Sequence, residues 1–239
     1  MALSNSDVSY ATFLSLSPSN STGSGFMLSI EKKEFLITAK HVLFDGNNLR
    51  SESLLITMQS HLGDPEDAKT LVIDQLSTAK VFLTTSSDIV AIEIDENFRV
   101  EAQGKNINSI SINDLDIIEN IAIANNILLV GFPTSLILRE TKFFDINRPL
   151  LRKGIVAGIN IKENTFIIDC PVFYGNSGGP VIEYKGDGNM KLIGIVSKYI
   201  PFVIEWKNNR EAAFSRQEFS NSGYAICIPL NEIIRLISV

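Results

Sequence analysis

The sequence predicts an all-β protein, a barrel or sandwich with one helix at its C-terminal end. Three observations carry this expectation. Short runs rich in β-branched and aromatic residues recur between turn residues, which is the signature of many short strands. Helical spacing of apolar residues is clear only near the end of the chain. A polar, Asn-rich stretch from Gly104 to Asn126, turning apolar at Ile117-Ile118-Glu119-Asn120-Ile121, separates two strand-rich halves.

In the first half the expected strands are Gly25–Ile30, Glu34–Ala39, Leu54–Met58, Lys80–Leu83 and Ile89–Ile94. In the second they are Asn126–Gly131, Gly154–Ile161, Thr165–Cys170, Gly179–Tyr184, Lys191–Lys198 and Gly223–Ile228. Pro229 can start a helix, and Leu230, Ile233, Ile234 and Ile237 follow at three- and four-residue spacing. Two connections stand out for length, Thr134–Lys153 and Pro201–Ser222, the second carrying Trp206, Lys207, Arg210, Glu211 and Arg216. Both read as loops, and long loops in a compact β domain tend to carry function. The expected division is residues 1–22 as a polar N-terminal segment, 23–120 as a first strand-rich half and 121–239 as a second strand-rich half plus helix.

Composition narrows the function classes. The 239 residues are 45% hydrophobic and 20% charged with a formal net charge of −6. That balance gives no general attraction for nucleic acid, and no apolar run reaches the ~20 residues that span a bilayer; neither nucleic acid nor membrane is an expected partner. The first residues, Met1 to Asp7, lack the basic start and apolar stretch of a secretory signal, so the expected location is the cytosol, or an export route after signal removal. Two cysteines, Cys170 and Cys227, fit a reducing compartment better than the several bridges of a small secreted protein; two buried free thiols are the expectation, with a single Cys170–Cys227 bridge as the alternative.

Three segments carry candidate chemistry. In Tyr174-Gly175-Asn176-Ser177-Gly178-Gly179-Pro180, glycines flank a serine. They permit a tight turn that exposes the hydroxyl and leaves backbone N–H groups of Gly175 and Ser177 aimed at one point, an oxyanion hole. A glycine-rich hairpin with an incidental serine is the plainer alternative. His41 ends the apolar run Leu36-Ile37-Thr38-Ala39-Lys40 and can act as general base and then general acid. The other histidine, His61, lies in a polar stretch and reads as solvated. Asp88 precedes the buried run Ile89–Ile94, where a carboxylate can orient an imidazole. No cofactor and no metal site is indicated.

The order His41, Asp88, Ser177, in the strings ITAKHV, SDIVAI and GNSGGPVI and 47 and 89 residues apart (41 to 88, 88 to 177), resembles the trypsin/chymotrypsin-like serine peptidases. The secondary matches LLVGFP, RKGIVAGI, LIGIVS and GYAI make the bacterial HtrA-type branch the nearest likeness. The resemblance runs from about Gly23 to the C-terminus. It implies two antiparallel barrels with the triad in the cleft between them, and a peptide or protein substrate. It also implies that Ser197 supports the catalytic aspartate and that substrate backbone pairs with Ser197, Lys198 and Tyr199. The pocket for the residue before the scissile bond would be lined by Pro171, Ser197–Tyr199 and Gly223. Pro171 stands where a carboxylate would select Lys or Arg, so small or medium apolar residues are expected there, with Tyr199 narrowing the entrance. Asp169 reads as a structural partner.

Asn176 stands where digestive enzymes carry the aspartate that pairs with a new N-terminus, so activation by that ion pair is not expected. No PDZ module follows the terminal helix in the sequence, so control by one is not carried over. Three alternatives to an ordinary endopeptidase stay open at this level. They are a latent protease switched by a regulatory protein partner, an inactive peptide-binding scaffold, and a hydrolase of esters.

Overall fold

The computed structural model describes residues 11–58, 69–95, 99–100, 109–135, 148–186, 188–207 and 215–237. Strands dominate, in two bodies. The first contains β1 (Ala11–Ser17), β2 (Thr22–Ile30), β3 (Lys33–Thr38), β6 (Ser53–Met58), β7 (Lys69–Ile73), β8 (Val81–Leu83), β9 (Val90–Ile94), β10 (Arg99–Val100) and β11 (Ser109–Ser111). The second contains β12 (Asn126–Gly131), β13 (Leu150–Asn160), β14 (Thr165–Asp169), β15 (Pro180–Tyr184), β16 (Met190–Lys207) and β17 (Ser215–Ile228). One helical turn, α1 (Lys40–Leu43), and a two-stranded ribbon of β4 (Phe44–Asp45) and β5 (Asn48–Leu49) follow β3, and α2 (Asn231–Ile237) ends the described chain.

The first body is a nine-stranded sheet in the order β10-β7-β6-β1-β2-β3-β9-β8, with β11 beside β2. Period-two alternation explains which faces are buried: Leu54, Ile56 and Met58 of β6 point into the core while Leu55 is exposed. The pairing is antiparallel except at β11. Strand β1 reaches only Phe26 of β2, and β11 fills the free edge at Met27–Ser29 by running parallel to it. The second body is a closed barrel, β12-β13-β14-β17-β16-β15. Its interior holds Ile127, Leu129, Val156, Phe166, Ile168, Val181, Ile193 and Val196. Helix α2 buries Ile233 and Ile237 and packs back onto β8 and β9 of the first sheet, so the C-terminus ties the two bodies together. No helix among the described residues is long and apolar enough to cross a membrane.

Two expectations need correction. Residues 1–22 are expected as a polar segment ahead of the first barrel; residues 1–10 lie outside the described residues, but from Ala11 on β1 sits between β2 and β6 with Ala11, Leu14 and Leu16 buried. Its alternating serines and apolar residues, Phe13-Leu14-Ser15-Leu16-Ser17, are a strand with one wet face. The second correction concerns Pro201–Ser222, expected as a loop. Its described parts continue β16 and β17 as one long hairpin, pairing Pro201 with Asn221 through Lys207 with Ser215. Residues 208–214, with Arg210 and Glu211, lie outside the described residues. So do His61 and the middle of Thr134–Lys153, whose end from Leu150 is strand β13.

Between the bodies, the connection is pinned by a buried ion cluster. The fully buried Glu183 carboxylate of β15 accepts from Ala122 N–H (3.1 Å) and Asn125 Nδ2 (2.8 Å) and meets Lys185 Nζ at 2.6 Å. Lys185 also reaches Asp116 (3.0 Å) and Asn120 O (2.6 Å). Partial burial pulls the Lys185 ammonium down, but the two carboxylates outweigh it and hold its pKa above the ordinary lysine value.

Candidate active site

Strand register brings His41 and Asp88 together. β3 and β9 pair antiparallel with Thr38 opposite Val90, so the residues just past Thr38 and just before Val90 leave the sheet at the same end. Three residues beyond Thr38, in the α1 turn, is His41; two before Val90 is Asp88. The imidazole Nδ1 lies 2.7 Å from Asp88 Oδ2, and the His41 backbone N–H donates to Asp88 Oδ1 at 3.0 Å. A carboxylate partner assigns the proton to Nδ1 and leaves Nε2 as the acceptor.

From the second barrel, the buried Ser197 hydroxyl donates to the same Asp88 Oδ2 at 2.6 Å. Burial pushes the Asp88 carboxyl up. The hydrogen bond and charge of His41 and the hydrogen bond from Ser197 outweigh that and hold its pKa below the ordinary 3.8. The aspartate is therefore an anion clamped by three donors, which is the state that can stabilise an imidazolium.

Ser177 sits in a turn whose backbone needs glycine on either side. Gly175 has φ +94° and Gly178 φ +83°, the left-handed region that L side chains disfavour. A Cβ at Gly178 would collide with Ser24 O and the Thr38 hydroxyl, so the Ser177 turn lies directly on the end of β3 that leads to His41. Asn176 is buried, its Oδ1 accepting from Phe173 N–H and its N–H donating to Phe173 O, both at 3.0 Å. That reciprocal pair shapes the turn without any ion pair.

The Tyr174–Gly175 peptide has a defined direction. Its carbonyl accepts from Ser135 N–H (3.4 Å) and faces the Thr134 and Ser135 hydroxyls at 3.5 Å each. In a trans peptide the N–H points opposite the C=O, so Gly175 N–H faces away from that loop. Among the described residues neither Gly175 N–H nor Ser177 N–H is bonded to a backbone carbonyl. Both are thus available as donors, as an oxyanion site requires.

The Ser177 hydroxyl itself donates to Ser197 O at 3.1 Å, and among the described residues no hydrogen bond joins it to His41. Rotation about its Cα–Cβ bond is the movement that re-aims it. The predicted pocket residues are brought onto neighbouring strands. Pro171 is exposed just past β14, where Cys170 N–H bonds to Gly223 O (2.9 Å), and Tyr199 pairs with Ala225. The Lys198 side chain is exposed. The Tyr199 ring meets that of Tyr174 edge-on, centroids 6.1 Å apart, joining the β16 strand to the Ser177 turn. Asp169 falls on the outer face of β14, its Oδ1 beside Gly223.

Ser24 is the main residue of the candidate site that sequence reasoning missed. Fully buried, it accepts Phe132 N–H (2.9 Å) and donates to Gly175 O (2.6 Å), while its own N–H donates to Ser177 O (2.8 Å). It thereby holds both ends of the Ser177 turn from the first sheet. The signal was its place between two glycines, since a Cβ at Gly23 would press on Val42 and one at Gly25 on Ile37 O. Cys170 and Cys227 are free and buried. Burial pushes the Cys170 thiol up to about 11 and Cys227 well above its ordinary value, so neither is a nucleophile at neutral pH. Among the described residues no group of three or more His, Cys, Asp or Glu could hold a metal.

The chain matches the family described as trypsin-like peptidase domain over residues 23–195. No curated protein matches it. Among solved structures it resembles the HtrA-type protease AlgW with a tripeptide, at 17% identity and TM-score 0.60, covering 96% of this chain and 59% of that one. It also resembles a serine endoprotease from Yersinia pestis, at 19% identity and TM-score 0.55, covering 97% and 62%. A third likeness is the protease Anisep from Arthrobacter nicotinovorans, at 18% identity and TM-score 0.56, covering 95% and 92%. At these identities the likeness is one of fold, and the chain spans about three fifths of the first two proteins.

Proposed function

This chain belongs to the trypsin-like peptidase family, and we propose that it is a serine endopeptidase with Ser177 as nucleophile, His41 as general base and acid, and Asp88 as orienting anion. In the proposed reaction Ser177 Oγ attacks the scissile carbonyl carbon while His41 Nε2 takes its proton. The carbonyl oxygen becomes an oxyanion held by the N–H groups of Gly175 and Ser177. Collapse breaks the C–N bond, His41 protonates the leaving amine, and water deacylates the enzyme by the same path in reverse.

The observation that carries this reading is the bond chain from His41 Nδ1 through Asp88 to Ser197, made between the two bodies and adjoining Ser177 through Ser197 O. The absence of a carboxylate at Pro171 supports cleavage after small or medium apolar residues. A second reading, a latent protease switched by its substrate or a regulatory partner, is favoured by one feature: the Ser177 hydroxyl is bonded to Ser197 O and not to the imidazole.

The test is incubation with a denatured protein and mapping of products by mass spectrometry. Cleavage by the wild type after apolar residues, lost in both Ser177→Ala and His41→Ala, is the expected result. Equal cleavage by Ser177→Ala would refute the assignment. Cleavage that appears only after adding an activating peptide would select the latent form.

A further inference from the structure

β16 does not end where the cleft does. It pairs with β15 only from Met190 to Ile195, and Val196 is still bonded on that side to Gly178 and Gly179. From Ser197 to Lys207 it continues with β17 on one edge, and among the described residues no strand occupies the other. An unpaired edge is a template for another extended chain. This edge begins at the residue whose carbonyl receives the Ser177 hydroxyl, so it runs outward from the reacting atoms.

The projecting hairpin is also apolar on both faces. Residues directly opposite in an antiparallel pair share a face. Phe202, Ile204 and Trp206 therefore line one face, and Val203 with its partner Phe219 the other. Phe202, Trp206 and Phe219 are each 58–60% exposed. Side chains of this size left in water in a row mark an interaction surface.

We propose that the outer edge of β16 beyond Tyr199, with the apolar faces of the hairpin, binds the stretch of substrate that precedes the residues in the cleft. The occupant is an extended polypeptide with apolar residues at several positions, such as an unfolded chain. The inference rests on the proposed peptidase reading and adds to it the length and character of the substrate. Continuity selects this occupant, because a peptide lying antiparallel along Ser197–Tyr199 has its N-terminal continuation directed along Pro201–Lys207. One residue pairs with one residue, so the hairpin meets a stretch about five to ten residues before the scissile bond. Pro201 offers no N–H, and with the register shift between Tyr199 and Pro201 it interrupts the row of backbone bonds once. The engagement beyond it therefore combines the remaining backbone bonds with side-chain contacts.

The test compares two peptides sharing one cleavage site, one beginning about four residues before the scissile bond and one about ten, the extra residues alternating Val or Phe with Ser. Two or three cross-strand pairs are worth ~10-fold together, so the long peptide should have a kcat/KM about 10-fold higher, mainly through KM. That ratio should fall toward one in the variant Phe202→Ser/Trp206→Ser/Phe219→Ser. It should also fall for wild type when the extra residues of the peptide are N-methylated, a change that leaves the protein untouched. Equal turnover of short and long peptides by wild type would overturn the proposal. So would an unchanged ratio in the variant, or a hairpin whose only effect is a dimer seen by sedimentation and lost in the variant, which would assign the surface to a second copy. Failure to cleave even the short peptide, with no reaction of Ser177 with a fluorophosphonate, would instead count against the peptidase reading itself.

Discussion

Replacing Ser24 with alanine removes one oxygen from a fully buried position and unties the Gly175 end of the Ser177 turn from the first sheet, while the backbone bond from residue 24 to Ser177 O remains. The lost hydroxyl serves two partners, Gly175 O at 2.6 Å and Phe132 N–H at 2.9 Å. Each buried group left without a partner costs about 1–3 kcal/mol. Some relaxation is available, so the loss should fall near the lower end for the pair, about 2–4 kcal/mol. For a chain of this length each kcal/mol moves Tm by about 2–4 °C, which gives a drop of about 5–15 °C by circular dichroism. Catalysis should suffer separately. Gly175 is a proposed oxyanion donor, and loss of such a donor lowers kcat by about 10²–10³; a displaced one should lower it by at least ~10-fold, with KM moving less. Thermal unfolding and steady-state kinetics on a chromogenic peptide measure both. A variant with wild-type Tm and wild-type kcat would refute the reasoning that Ser24 holds the turn.

Asp88→Asn should lower kcat by about 10⁴ by fixing the wrong imidazole tautomer. Ser197→Ala, which removes one hydrogen bond to a charged group, should cost only ~10–100-fold; kinetics on one substrate rank the two. The Asp88 pKa is depressed in the fold, so the stability it contributes is fully present above its ordinary 3.8 and is lost as pH falls through the lower folded value. Tm measured from about pH 5 to pH 2 should accordingly fall less steeply in Asp88→Asn than in wild type. Lys185→Met leaves Glu183 buried without its cation and should destabilise by about 3 kcal/mol in urea unfolding, more than Asp116→Asn, which leaves the Glu183–Lys185 pair intact.

Much of this architecture was legible because its signals are local. Apolar runs such as Leu54–Met58 and Asn126–Gly131 alternate or stay buried as strands must, and GNSGGP needs its glycines for reasons visible in the residues. What escaped was carried by long-range pairing. β1 reads as a polar segment until Ala11–Ser17 is placed between two partners. Arg99–Val100 and Ser109–Ser111 are too short to declare themselves and exist because β7 and β2 offer free edges. The stretch beyond Tyr199 reads as a loop for its length and for the charges Lys207, Arg210, Glu211 and Arg216. Cross-strand pairs such as Val203 with Phe219 outweigh that local signal. Within the site, His41, Asp88 and Ser177 stood out by motif. Ser24 is harder to see, since its place between Gly23 and Gly25 marks close backbone packing without naming the groups that its hydroxyl serves.

The central claim, that Ser177 is a nucleophile activated by His41, is tested most directly by reaction with a fluorophosphonate and mapping of the adduct by mass spectrometry. The account predicts a single adduct on Ser177, absent in Ser177→Ala, and formed far more slowly in His41→Ala. An adduct on another serine, or a wild-type protein that cleaves peptide while Ser177 remains unlabelled, would contradict it.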